Sequence, residues 1–310
     1  MKNRKIRIGT RGSRLALWQA HAVEAALNKG GAATEIVIIE TKGDKVLDVT
    51  IGNIGGKGVF TEEIEQQLAL GTIDIAVHSA KDMPSELPEG MELIAFPERE
   101  KSHDVLAGDD KRISLKSGEP LLIGTSSTRR AAILKHYYPH VKTVAVRGNL
   151  QTRIRKMREG QCDVLMLAYA GMRRLGYDDM IVEELDGETF IPAAGQGAIA
   201  VEASTNLDRE TYDLVRRFVN HAPTETCVKA ERAFLRTLHG GCSIPVFVAA
   251  RLENSSLHIS GGVISLDGGQ IATGKIAGDQ NQPDELGSKL GEDVLARGGR
   301  EILEQIRGAR

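Results

Sequence analysis

Six arginines, one aspartate and one cysteine stand where side chains could meet a ligand. Arg11, Arg129, Arg130, Arg147, Arg153 and Arg174 each fall in or just beyond a polar loop that follows a strand-like run. Guanidinium forks bind carboxylates or phosphates in bidentate pairs. Between Leu121 and Arg174 there are eleven Lys or Arg against two acids, Glu159 and Asp163, a local charge of +9 in a chain of net charge −2. Such a set suits an anion with several carboxylates or phosphates. One arginine alone reads equally well as a solvated surface charge; six at equivalent loop positions fit that reading poorly. Asp82 follows a strand directly, beside Lys81 and after His78-Ser79. An aspartate among arginines stays ionised and can stabilise a cation or pass a proton. Its spacing also suits a plain turn cap before Pro84. Cys242, in Gly240-Gly241-Cys242-Ser243-Ile244-Pro245, lies in an exposed, shaped loop, whereas Cys162 in a strand and Cys227 in a helix read as inert core thiols.

The elements that position these residues repeat. Ile6–Thr10 is a strand, Ser13 caps a helix over 13–28, Glu35–Thr41 is a second strand, Thr61–Leu70 a helix and Ile73–Val77 a third strand. After residue 120 the order returns. Leu121–Thr125 parallels Ile6–Thr10, Val141–Val146 parallels the second strand, and Gly160–Val164 parallels Gly71–Ile75. The first half carries an insertion, a loop over 42–60 with glycines at 43, 52, 55, 56 and 58, which reads as a lid. Strand–loop–helix repeats indicate α/β halves with mainly parallel strands, whose ligands gather at the strands' carboxyl ends. Ala198–Glu202 reads as a strand returning to the first half. A helix over 224–238, alternating strands at 246–252, 257–265 and 270–277, and a final helix over 283–307 predict a small α+β domain with an antiparallel sheet. The expected division is 1–98 with 198–218, then 102–194, then 221–310.

Bulk properties narrow the function. Hydrophobic residues make up 41%, charged residues 26% and aromatics 4%, a globular composition whose cores must rest on Val, Ile, Leu and Ala. No run approaches the roughly 20 apolar residues of a membrane span, and MKNRKIRIGT leads into no apolar signal core, so the expected address is the cytoplasm. Three cysteines without a CxxC pair argue against a disulfide framework and a zinc site, and no metal is expected. The absence of a coiled-coil pattern leans to a monomer. The residues alone leave two further readings open. A non-catalytic two-lobed binding protein fits the duplicated halves but leaves the Cys242 loop unexplained. Nucleic-acid binding fits the basic stretch over 121–174, though its only aromatics are Tyr137, Tyr138 and Tyr169.

Seven runs in order resemble the hydroxymethylbilane synthases (porphobilinogen deaminases). They are Thr10-Arg11 with Leu15–Ala20, Gly55-Gly56-Lys57-Gly58, His78-Ser79 with Lys81–Pro84, Gly124–Arg130, Arg147-Gly148-Asn149, Pro192–Gly197, and Gly240-Gly241-Cys242. Ala80 and Thr128 replace larger apolar residues of the family pattern, and neither position carries charge. The resemblance covers essentially the whole chain. It implies two similar α/β domains arranged like periplasmic binding proteins, plus a third domain that presents Cys242. It implies a dipyrromethane cofactor joined to Cys242 through a thioether, and stepwise deamination and head-to-tail condensation of four porphobilinogen molecules, followed by hydrolytic release. It assigns Asp82 to catalysis, Lys81, Ser127, Arg129, Arg130 and Arg174 to cofactor carboxylates, and Arg11, Ser13, Arg147 and Arg153 to the incoming substrate or growing chain. Phe60 would stack on a pyrrole face, although a lone Phe before a helix also reads as packing.

Overall fold

The first strand, β1 (Ile6–Thr10), pairs in parallel with β2 (Thr34–Ile38) and β3 (Ile75–Ser79). The structure is a computed structural model that describes residues 5–42, 61–240 and 244–308. Most of the expected lid loop, Phe60 and Cys242 lie outside the described residues.

Between β1 and β2 runs helix α1 (Arg14–Lys29). Ser13 starts it by accepting the Ala16 N–H at 3.2 Å, which satisfies one of the free donors of the first turn. Its inward face is Gln19, Ala20, Val23 and Leu27, the spacing of an amphipathic helix. Helix α2 (Glu62–Ala69) precedes β3. The strand β10 (Ile199–Ser204) then enters between β3 and β4 (Met91–Ala95), antiparallel to both, giving the order β2-β1-β3-β10-β4. The return of this strand to the first half is therefore as expected from the sequence. Helix α6 (Arg209–Val219) closes the same core through Val215 and Val219, against Val23 and Leu27.

The second sheet repeats this plan strand for strand. β6 (Leu121–Gly124) pairs in parallel with β7 (Val141–Val144) and β8 (Val164–Ala168), while β5 (Asp104–Ala107) runs antiparallel between β8 and β9 (Ile181–Glu184). Its helices are α3 (Thr128–Tyr137), α4 (Leu150–Arg158) and α5 (Tyr169–Arg174). The repeat extends to single bonds. Asp74 accepts the Arg7 N–H at 2.8 Å, and Asp163 accepts the Leu122 N–H at 2.7 Å. Each aspartate follows a glycine in the left-handed region, Gly71 at φ +65° or Gly160 at φ +86°, a backbone that costs glycine no Cβ clash. Because Asp74 spends its side chain on the strand end, ladder pairing starts at Ile75, two residues later than expected. The third strand is thus Ile75–Ser79 rather than Ile73–Val77, and His78 and Ser79 become strand residues instead of loop residues.

The C-terminal part opens with helix α7 (Ala222–Thr237). It continues as a three-stranded antiparallel meander, β11 (Val246–Glu253), β12 (Ser256–Ile264) and β13 (Ile271–Asp279). The single final helix expected over 283–307 is two helices, α8 (Pro283–Val294) and α9 (Arg300–Gly308). They are separated at Gly298, whose φ of +102° leaves the helical region. Phe234, Val248, Ile259, Leu290 and Ile302 form the core of this part.

By its contacts the chain divides into two compact units, residues 1–100 with 198–225, and 101–197 with 226–310. In the second unit Phe247 and Ile264 of the meander join the core of the α/β sheet beside Ile133, Val164 and Phe190.

Packing against β6 is tight enough to test. A Cβ on Gly124 would lie 2.6 Å from Cys162 Sγ and 2.8 Å from Leu165 Cδ2, whereas one on Gly171 in α5 would meet nothing within 4 Å. Gly124→Ala should cost about 1–3 kcal/mol through overpacking. Gly171→Ala should be neutral or gain up to about 1 kcal/mol. Urea unfolding of both variants checks the pair.

Candidate functional site

In the first unit the rim is built from the loop after β1 and the turn after β3. Arg11, Ser13, Gln19, His78, Ser79 and Asp82 line a small cavity of about 80 Å³. Gln19 is buried, and its side-chain amide hydrogen-bonds the Ser79 hydroxyl at 2.9 Å, tying α1 to the end of β3. A single 3-10 turn, Ala80–Asp82, follows, and the Ala80 N–H is held by the Ala198 carbonyl at 3.0 Å. That anchor leaves Asp82 exposed, with Lys81 half-buried beside it. The Asp82 carboxylate therefore stands exposed in the lining of the cavity.

In the second unit Ser127 caps α3 by accepting the Arg130 N–H at 3.4 Å. The arginines that follow it are not on the surface. Arg129 is 4% exposed and Arg130 6%, and both pair with Asp104, which is 0% exposed. Arg129 reaches Asp104 Oδ2 at 2.8 Å and donates to the Ile191 carbonyl at 3.0 Å. Arg130 donates twice to Asp104 Oδ1, at 3.1 and 2.7 Å, and once to the Met166 carbonyl at 2.9 Å. Gln196 completes the cluster, donating to Asp104 Oδ1 at 2.9 Å and to the Ser102 carbonyl at 2.6 Å. Burial pushes the Asp104 carboxyl up, but the two guanidinium groups outweigh it and lower the group to about 2. Burial also lowers Arg129, against the attraction of Asp104.

Two guanidinium groups on one carboxylate leave a positive excess in a dry place. The Nε–H of Arg129 is buried and has no acceptor among the described residues. The positive excess fits an acidic pyrrole cofactor, whose carboxylates would supply the missing negative charge.

The remaining predicted residues stand on neighbouring loops of the same unit. Arg147 precedes Gly148, whose φ is +113°. Asn149 caps α4 by accepting the Thr152 N–H at 2.9 Å, and Arg153 donates to the Gly148 carbonyl at 2.7 Å. Arg174, at the end of α5, donates to the Gly197 carbonyl at 2.6 Å. The structure therefore joins Arg129 and Arg130 through Asp104, with Ser127 capping the helix that carries them, and ties Arg174 to the loop that carries Gln196. Arg147 and Arg153 form a separate group around Gly148.

Sequence reasoning missed Asp104, Gln196 and Glu231. Buried Glu231 accepts the Gly195 N–H at 2.7 Å and the Ala250 N–H at 2.8 Å, fixing the 192–197 loop to the meander. Gln196 sat inside a run singled out for its resemblance, which was its one signal. Cys162 and Cys227 are buried free thiols, as expected, and burial raises Cys162. No group of His, Cys, Asp and Glu able to hold a metal occurs among the described residues, and no described helix is long and apolar enough to cross a membrane.

Comparison with known proteins gives the family. Residues 6–212 match the family model described as porphobilinogen deaminase, dipyromethane cofactor binding domain, and residues 225–296 match the model of the C-terminal domain. Porphobilinogen deaminase of Desulfosudis oleivorans is 53% identical over 304 residues, covering 98% of each chain. That of Cytophaga hutchinsonii is 53% identical over 305 residues, with the same coverage. Among solved structures, the second substrate binding domain of a putative amino acid ABC transporter from Streptococcus pneumoniae matches with a TM-score of 0.43 and 12% identity, over 69% of this chain and 91% of that one. With full-length relatives at such identity, and both family models matched in order, the chain belongs to the porphobilinogen deaminase family.

Proposed function

We propose that this chain condenses four porphobilinogen molecules head to tail, with loss of ammonia, on a dipyrromethane held by Cys242, and releases linear hydroxymethylbilane by hydrolysis. The observation that carries this reading is the buried Arg129–Asp104–Arg130 cluster, which has more positive charge than its own carboxylate can balance. Porphobilinogen bears an acetate and a propionate, so the ligand side offers carboxylates in quantity. When bound, the cofactor supplies the free pyrrole carbon to which units are added.

The residues of the chain take the following parts. Arg129, Arg130, Ser127, Arg174 and Lys81 hold cofactor carboxylates. Arg11, Ser13, Arg147 and Arg153 hold those of the incoming substrate and the lengthening product. Charge-assisted bidentate pairing sets orientation as well as affinity. Asp82 accepts the pyrrole N–H, stabilises the positive charge that develops as ammonia leaves the substrate's aminomethyl carbon, and receives the proton lost after the carbon–carbon bond forms. Its exposed place at a cavity mouth supports that role. Phe60, outside the described residues, would stack on a pyrrole face. The partition into three domains, with the thiol on the third, belongs to the same proposal; the separate core of the C-terminal meander supports it. A cytoplasmic monomer belongs to the same proposal.

Intact-mass measurement tests the anchor. The purified protein should be heavier than its sequence by two pyrrole units, and Cys242→Ala should remove that increment. A bare mass in active protein would refute the assignment. Asp82→Asn should fold and keep the added mass, yet lose about 10²-fold or more of its turnover. Turnover near the wild-type rate would remove Asp82 from the chemistry.

Asp104 gives a test by stability. Asp104→Asn leaves two guanidinium groups buried without their counter-charge, a loss of about 3–5 kcal/mol at neutral pH. In the folded protein this carboxyl is lowered from 3.8 to about 2. Its contribution is therefore complete above the unfolded value and is lost as pH falls through the folded one, an effect on the order of 2 kcal/mol. The stability gap between wild type and variant, read by urea unfolding, should narrow as pH falls from 4 towards 2.

A further inference from the structure

The loop over 191–197 bonds every arginine assigned to the cofactor. Arg129 donates to the Ile191 carbonyl at 3.0 Å, Arg130 to the Gln196 side-chain oxygen at 3.3 Å, and Arg174 to the Gly197 carbonyl at 2.6 Å. No described strand or helix includes this loop. Gly195 and Gly197 lie in the left-handed region, at φ +72° and +86°, and a turn bond runs from the Gln196 N–H to the Ala193 carbonyl. With no ladder to fix its shape, the loop must be held by its neighbours.

On one side the hold comes from the C-terminal part. The Val248 N–H of β11 donates to the Pro192 carbonyl at 2.9 Å. Glu231 of α7 is fully buried. One of its oxygens accepts the Gly195 N–H at 2.7 Å, and the other accepts the Ala250 N–H of β11 at 2.8 Å. A single side chain thus spans loop, helix and sheet. Its bond to Gly195 falls between Ile191, which holds Arg129, and Gln196 and Gly197, which hold Arg130 and Arg174. Its helix ends at Thr237, and the sequence runs on from there to Cys242.

We infer that Glu231 is a positioning residue for the condensation: it locks the loop over 191–197, and with it the guanidinium groups of Arg129, Arg130 and Arg174, to the helix that leads to the cofactor thiol. The inference rests on the roles proposed for those arginines and for Cys242. Glu231 touches no ligand in this scheme. It sets the spacing between the frame that grips cofactor carboxylates and the part of the chain that carries the attachment point. Reacting atoms must be held in near-attack geometry, and a misplacement of about 1 Å costs about 10²-fold in rate. The incoming substrate is assigned to other side chains, Arg11, Ser13, Arg147 and Arg153, so a loosened loop should reach kcat before KM.

Glu231→Gln keeps size and shape but breaks the span. The amide has one acceptor oxygen, and its NH2 group faces the second main-chain N–H. Intact mass first shows that the protein carries the two-pyrrole increment. In turnover of loaded protein, Glu231→Gln should lose at least about tenfold in kcat while KM for porphobilinogen stays within about twofold. Thermal unfolding gives a readout apart from activity. The Tm difference between loaded wild type and Cys242→Ala measures what the attached cofactor adds to the fold. In the Glu231→Gln background that difference should fall to about half or less, because groups in one network are not additive. Leu290→Ala is the control for destabilisation. Leu290 is a buried core residue that packs at Gly274 of β13, the strand farthest from β11. That variant should lower Tm yet keep kcat and the full cofactor increment in Tm.

Wild-type kcat in loaded Glu231→Gln overturns the inference, as does a Tm penalty that is the same with and without the cofactor. A loss of kcat matched by Leu290→Ala overturns it too, since destabilisation alone would then suffice. Should Glu231→Gln not accumulate, Glu231→Asp decides by the same two readouts; its carboxyl is one methylene shorter and cannot span both N–H groups as they stand. A wild-type protein without the added mass overturns instead the reading on which the inference rests, and is recognised before any Glu231 variant is measured.

Discussion

Burying two guanidinium groups side by side costs several kcal/mol per ion unless a carboxylate with good geometry lies between them. Asp104 meets that condition, with one oxygen toward Arg129 and the other toward Arg130. The arrangement fixes planar donors in a rigid, low-dielectric place, where each later contact with a carboxylate is stronger than on the surface. It also leaves the pair short of one negative charge, which is where the proposed function places a cofactor carboxylate. Surface arginines would give the same net charge but would lose more side-chain freedom on binding.

The duplication explains where Asp104 comes from. Each sheet has three parallel strands made by its own half, and a fourth strand delivered by chain that has just crossed from the other compact unit. β10 starts at Ile199, just after one crossing, and β5 starts at Asp104, just after the other. Gln196, a few residues before the return crossing, binds both Asp104 and the Ser102 carbonyl. The residues that organise Arg130 are thus the same ones that tie the two crossing segments together. Asp104 in one segment and Gln196 in the other each hydrogen-bond Arg130 directly.

Much of this plan was legible in the sequence, and the omissions have physical causes. Helices with a side-chain cap and a clear apolar stripe, such as α1, announced themselves to within a residue. The repeat was visible because Gly71 and Gly160, each followed three residues later by Asp, recur ahead of matching strands. β5 was invisible because Asp104-Val-Leu-Ala is four residues long and buried throughout, with no alternation to read. Its aspartate therefore stood outside the charge count, which began at Leu121, and nothing in the sequence signalled that Arg129 and Arg130 are buried against it. His78 was read as a loop residue because Asp74 caps a strand end through its side chain, which no periodicity reveals. The break at Gly298 was hidden for the opposite reason: glycine is tolerated in a helical pattern, and only its backbone angle marks the end.

The helix termini carry the last part of the argument. A helix N-terminus bears partial positive charge, and proteins commonly place acids in the first turn to offset it. Here α2, α6, α7, α8 and α9 all do so, with Glu62, Glu210, Glu225, Asp284 and Glu301 among the residues used. The helices that follow the loops assigned to ligand in the proposed function do not. α1, α3 and α4 have no acid in the first turn, and their neutral caps, Ser13, Ser127 and Asn149, satisfy single N–H groups without cancelling the dipole. α3 goes further and sets Arg129 and Arg130 in its first turn, against its own dipole. For helix stability alone that placement is unfavourable by a few tenths of a kcal/mol or more per charge. The proposed function gives that placement a reason: a substrate and cofactor with carboxylates to spare would meet the helix ends as well as the guanidinium groups.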